Sequence, residues 1–235
     1  MAANFNRFLS DVVGVVKVRG NTLGKLMTEK KWVPVFLLLV TAVCLFTYIT
    51  VPMQIAKMTE NPQVAEMLSE DQVAYFVNDS VFTRLMACVT AVFSLVLSLI
   101  IGAFFVYLFF GIGGAGGIYA NYFSLVVNAS IIDVLLPTIL NAISLLFNTD
   151  LFSAIINPGL YFYPPEPGSF AYLIIMRMDL FAAWYTLAIA VGVTLFSKMK
   201  IGKSLFISFL YYIFKIVVGA AFSYLFINTL RSPLM

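Results

Sequence analysis

Apolar residues gather into five runs, each near or above the length of about 20 residues that a helix needs to cross a hydrocarbon core. They are Val33 to Val51, about Leu85 to Phe110, about Phe123 to Phe147, Leu180 to Phe196 with an entry from as early as Tyr172, and Leu205 to Ile227. Runs this continuous lack the alternation of barrel strands, and in lipid only a helix satisfies its own backbone groups within one segment. The pattern predicts an all-α polytopic membrane protein, a five-helix transmembrane bundle over residues 33–230. Residues 1–32 form a cytosolic segment ahead of it. Phe5, Phe8, Leu9, Val12 and Val16 fall on one helical face there, which predicts an amphipathic helix lying on the membrane surface or packed under the bundle.

Polar residues inside the runs change the picture. Asp133 lies about 15 Å past Phe123, and Lys215 about 16 Å past Ser204, at roughly 1.5 Å per residue. Both therefore fall near the midplane, where a lone charge costs at least about 2.5–3.5 kcal/mol. Each needs a partner, and at equal depth each is expected to find the other. The third run carries Ser130, Asp133, Pro137, Asn141, Ser144 and Asn148 at spacings that share one helical face. Pro137 has no N–H for the carbonyl of Asp133 and is expected to kink the helix. Thr90, Ser94, Ser98 and Gly102 form a second stripe, and Ser204, Ser208, Tyr211, Lys215, Gly219 and Ser223 a third. Ala188/Gly192 and Gly219/Ser223 are small-xxx-small pairs. Such stripes read first as helix-packing seams, and second as a substrate path or partner face. Arg177 and Asp179 read as a solvated pair at the mouth of the fourth span.

Charge sets an expected orientation. Arg7, Lys17, Arg19, Lys25, Lys30, Lys31, Lys198, Lys200 and Lys203 fall on one side, against Lys57, Arg84, Arg177 and Arg231 on the other. Loop 52–80 is acidic. The positive-inside rule then places the N-terminus in the cytosol and the C-terminus outside, as five crossings require. The first run reads as a signal anchor rather than a cleaved leader.

The composition fits this class: 62% of the 235 residues are hydrophobic and 11% charged, less than half the share of an average soluble domain. A net charge of +3 gives nucleic acid no electrostatic footprint. The chain has no histidine, which removes histidine metal sites, Ser–His triads and histidine switches. Cys44 and Cys88 sit inside runs and read as small apolar fillers. Gly111-Ile-Gly-Gly-Ala-Gly116 matches a dinucleotide motif in letters only. It follows a span rather than a strand, so a tight turn is the better reading. Asn78-Asp79-Ser80 fits a glycosylation acceptor. Neither catalysis nor a cofactor or metal is expected.

Gly14-Val15-Val16, Leu23, Leu26, Trp32 and Pro34 lead into the first run. Asp179-Leu-Phe181-Ala-Ala-Trp184 opens the fourth, followed by Gly192 and the lysine-rich loop to Lys203 and Ser204. In these features, over about residues 12 to 228, the chain resembles the Yip family (Ypt/Rab-interacting proteins) in a compact bacterial form. Arg19-Gly20-Asn21 stands where the family often has a proline. The resemblance implies five spans and a cytosolic N-terminus. It marks Asp179, Phe181, Trp184 and Gly192 as motif residues without assigning catalysis. Eukaryotic members act with Rab GTPases in Golgi and endoplasmic-reticulum membranes, through a longer N-terminal region absent from this pattern. Bacterial relatives are thought to accompany ABC-type exporters in the inner membrane. The leading expectation is therefore a non-enzymatic membrane adaptor, an accessory of an exporter or a trafficking factor. Its partners would be the bilayer, other membrane proteins and further copies of itself. The alternatives are a small transporter or channel using the Asp133/Lys215 seam, with Ser130, Pro137 and Asn141, and lipid handling or bilayer shaping through the basic, amphipathic N-terminus.

Overall fold

The computed structural model describes residues 10–18, 20, 22, 32–60, 81–147, 165–166 and 169–231, with the backbone alone over 54–60 and 226–231. The described elements are α1 (Trp32–Glu60), α2 (Val81–Ile112), α3 (Tyr119–Ser130), a π-helical turn (Ile131–Leu135), α4 (Leu136–Phe147), α5 (Phe170–Arg177), α6 (Leu180–Ser197) and α7 (Ile201–Arg231). No strand occurs among the described residues. Five helical stretches are long and apolar enough to cross a membrane: Trp32–Met53, Val81–Ile112, Tyr119–Phe147, Leu180–Ser197 and Ile201–Leu225. The protein is an all-α polytopic membrane bundle.

The helices outrun the apolar runs, because a helix does not have to stop where hydrocarbon ends. α1 continues through Pro52 to Glu60 rather than ending at Val51. The fourth span does not enter smoothly from Tyr172. A separate eight-residue helix, α5, precedes it, and the break falls at Met178 and Asp179.

The third span is the axle of the bundle. Every residue from Ser124 to Ser130 is buried, so α3 meets neighbours on all sides. α1, α2 and α6 pack around it, and α7 closes the ring by packing on α2 and α6. The core is built of Leu39, Val106, Phe110, Tyr122, Leu125, Ile131, Ile132 and Ile189, all fully enclosed. Residues 10–16 are helical, with Val15 fully buried and Val12 and Val16 packed against the core. This part of the N-terminal helix therefore docks on the bundle. Phe5, Phe8 and Leu9 lie outside the described residues.

Two tight turns close one end. α2 ends where Gly114 adopts φ +76° and the Ala115 amide donates to the Phe110 carbonyl at 2.8 Å. This is a Schellman-type stop, which needs a left-handed residue. The glycine cluster thus serves the turn, as its position after a span suggested. α6 ends on Lys198 at φ 56°, and the Ser204 hydroxyl reaches back to the Ala190 carbonyl at 2.6 Å. Both cysteines carry free thiols, and the Cys88 Sγ donates to the Cys44 carbonyl at 3.3 Å.

Gly192 is where α6 meets the axle. A Cβ there would collide with the side chain of Leu125. Gly192→Ala is expected to destabilise the protein by about 1–3 kcal/mol, the usual range for overpacking. Leu125→Val in the same chain should recover part of that loss. Unfolding in mild detergent measures both.

Candidate functional site

The Lys215 Nζ donates to the Asp133 Oδ2 at 2.5 Å, the contact that the equal depth of the two residues predicted. The same ammonium lies 4.8 Å from the ring centre of Tyr185, a buried residue of α6. The charge is thus held from two sides, by a carboxylate and by an aromatic face. Asp133 sits inside the π-helical turn. The Leu136 amide, which closes that turn, donates to Ile131, five residues back. Pro137 follows at once. Its missing N–H would leave the Asp133 carbonyl without an α-helical partner, and the wider turn absorbs that defect.

The π turn also dissolves the polar stripe expected along the third span. A phase computed at 3.6 residues per turn no longer holds across residues 131–135. Ser130 is buried and bonds back to the Val126 carbonyl at 2.8 Å. Asn141 is exposed and Pro137 half-buried, and neither lines a cavity with the ion pair. Ser144 has a buried hydroxyl with no partner among the described residues. Asn148 lies outside the described residues. Of the expected seam, the structure brings Asp133 and Lys215 together, with Ser130 beside them.

Arg177 and Asp179 come to the same place by another route. Asp179 caps α6, its Oδ1 accepting the Ala182 amide at 2.6 Å. Aspartate favours this position because its side chain competes with the backbone for the first free N–H groups. Burial pushes its carboxyl above the usual range, and the Ala182 amide offsets part of that rise. Arg177, at the last turn of α5, donates through Nη2 to the Ser223 hydroxyl at 2.8 Å. The two residues do not form the solvated pair that their sequence suggested. Gly219 makes room for the guanidinium, since a Cβ there would stand 2.9 Å from Nη1. Gly219/Ser223 therefore seats an arginine, whereas Gly192 does serve helix packing.

The result is a cleft of about 540 Å³ at the break between α5 and α6. Asp133, Arg177, Asp179 and Lys215 all line it, with Tyr212, Ser223, Leu173, Met176, Ala182 and Ile216. That volume suits a small-molecule site. A second cavity of about 380 Å³ lies between α2 and α7, and Asp133, Arg177 and Lys215 line it as well. Three charged groups thus stand on the boundary between the two spaces.

The remaining motif residues have structural work. Phe181 is in the core, Trp184 packs against it, and Gly192 admits Leu125. Sequence reasoning missed Tyr185 and the fully buried Asn128. Asn128 donates to the Ser124 carbonyl at 2.7 Å, and its Oδ1 has no partner among the described residues. The sequence did hold a signal for it: Ser124 and Asn128 are polar and four apart inside the third apolar run.

Lys215→Met leaves Asp133 without its counter-charge. A fully enclosed pair would lose about 3–5 kcal/mol on such a change. With the Lys215 side chain 39% exposed to the cleft, screening reduces the expected loss to about 1–3 kcal/mol. The double change Asp133→Leu with Lys215→Met should restore most of it. Detergent unfolding of the two variants checks this, and equal stability of Lys215→Met and the native chain would show that the pair supports nothing.

No protein-family model, curated protein or solved structure matches the chain.

Proposed function

We propose that the protein is a transport component whose site is the charged cleft at the break between α5 and α6. The observation that carries this reading is the convergence of Asp133, Arg177, Asp179 and Lys215 on one cleft beside the spanning helices. Ionisable side chains are costly within a membrane and usually mark substrate or ion pathways. A discontinuous helix beside a charged midplane site is a recurring transporter feature, because helix ends present unpaired backbone groups to a ligand. A π turn carrying the central aspartate points the same way, since such turns gather at functional sites. The charge asymmetry of the loops supports a cytosolic N-terminus, so the α5–α6 break faces outward.

A second reading, a non-enzymatic adaptor or exporter accessory of the Yip type in the inner membrane, is favoured by one observation. Thr90, Ser94 and Ser98 on α2 are exposed in the single chain. Polar and small stripes of this kind commonly pack against another helix. A further copy or an exporter subunit would cover them. Capture of stoichiometric membrane partners in mild detergent, abolished by Ser94→Phe with Ser98→Phe, would favour the adaptor.

Reconstitution tests the transport reading. Vesicles holding the purified chain are expected to move at least one tracer among potassium, chloride, an amino acid and a fluorescent phospholipid. Asp133→Asn and Lys215→Met should each slow that movement. Vesicles that move none of the four faster than protein-free controls would refute it.

A further inference from the structure

We infer that the substrate class is phospholipid, and that the head group travels along the seam between α2 and α7. This rests on the transport reading and specifies what the site carries. The seam has a cavity at each end. The 380 Å³ space lies towards the α5–α6 break, with Ser94, Ser98 and Gly102 of α2 facing Lys215 and Gly219 of α7. At the opposite end, near the two tight turns, a space of about 390 Å³ is lined by Phe109, Ile112, Phe206, Ile207, Leu210 and Lys203. Between them stands an aromatic constriction. Phe214 lies 4.8 Å from Phe105 and 5.2 Å from Phe109, centre to centre.

Cations mark the seam at three depths. Ser223, which holds Arg177, lies eight residues beyond Lys215 on α7, or about 12 Å along the axis. Lys203 lies twelve residues before it, or about 18 Å the other way. With Lys215 near the midplane, Arg177 and Lys203 fall close to the two head-group levels of a core about 30 Å thick. A phosphate would thus meet a cation on entering, at the middle and on leaving. Arginine suits the outer position, since its planar donors match phosphate oxygens and only one is engaged by Ser223.

The walls select an amphiphile over a free ion. Leu97 and Ile101 on α2, and Val218 on α7, line the upper cavity yet remain 46%, 45% and 38% exposed, so it opens sideways onto hydrocarbon. Phe206, a wall of the lower cavity, is 62% exposed. A lipid can keep its acyl chains in the bilayer while its head group follows the polar floor of Ser94, Ser98, Asp133 and Lys215. A hydrated ion gains nothing from a lateral opening.

The full-length protein reconstituted in phosphatidylcholine–phosphatidylglycerol vesicles, with trace fluorescent phosphatidylethanolamine, tests this through quenching by an impermeant reductant. The native chain should expose inner-leaflet probe to the quencher. Arg177→Gln should slow that exposure about tenfold, as loss of one charge-assisted hydrogen bond predicts. Lys203→Gln, at an exposed position near the start of α7, should slow it without touching the cleft. Phe214→Ala should hasten it, and Ser98→Leu should block it while the variant stays monodisperse. Movement of a soluble tracer without lipid movement would overturn the lipid assignment and leave the transport reading standing. Movement of neither overturns both. Cross-linking of Ser98→Cys to a second copy, with no lipid movement, would assign the seam to a partner helix instead.

Discussion

Pairing of Lys215 with Asp133 is the constraint on which the rest of the arrangement depends. Neither charge is tolerable alone at mid-bilayer depth, where water is scarce and the dielectric constant low. Meeting fixes the relation between the third and fifth spans, which are distant in sequence. The two residues can meet only because the chain makes room: the π turn carries Asp133, and the face of Tyr185 backs the ammonium. Polarity has been admitted where apolar packing would have been simpler, and nearby features conform to that choice. The break ahead of α6 borders the larger cleft and the glycine that seats Arg177 the smaller cavity, and the ion pair lines both.

The two ends of the bundle differ in construction. Ahead of the π turn, α3 is enclosed from Ser124 to Ser130, Tyr122 packs edge-on against Phe196 at 4.9 Å, and its hydroxyl ties to the Gly116 carbonyl at 2.9 Å. Beyond the π turn the third span loses neighbours, and α4 packs mainly on α1. The two cavities that Asp133 and Lys215 line lie in this half, and the 390 Å³ space lies in the other. A dense hub with an open opposite end lets one part of a helical bundle hold its shape while the other admits a guest.

Much of the fold was legible in the amino-acid pattern. Five apolar runs became five spanning helices, because hydrophobic length is a direct statement about bilayer thickness. The ion pair was legible too, since depth along two helices could be compared by counting residues. Asn141 and Pro137 failed to join it because the stripe argument assumed unbroken α-helical phase through a proline-induced π turn. Arg177 and Asp179 were misread as an exposed pair because linear neighbours were taken as spatial ones. A helix break between them sends one to Ser223 and the other to its own helix cap. Gly219 had no sequence signature separating a helix contact from an arginine seat. Tyr185 looked like one more aromatic in an apolar run, and only the tertiary placement of Lys215 reveals its use.

The π turn has a genetic corollary. A segment with five residues per hydrogen-bonded loop is what an α-helix becomes when one codon is inserted and its flanks are held in place by packing. Excision of a single codon from 131–135 would let the third helix revert to regular winding. The flanking helices would keep their places, and only the residues of the wide turn, Asp133 among them, would be re-aimed. A one-triplet event could therefore have created, and could equally erase, the inward charge at the centre of this bundle.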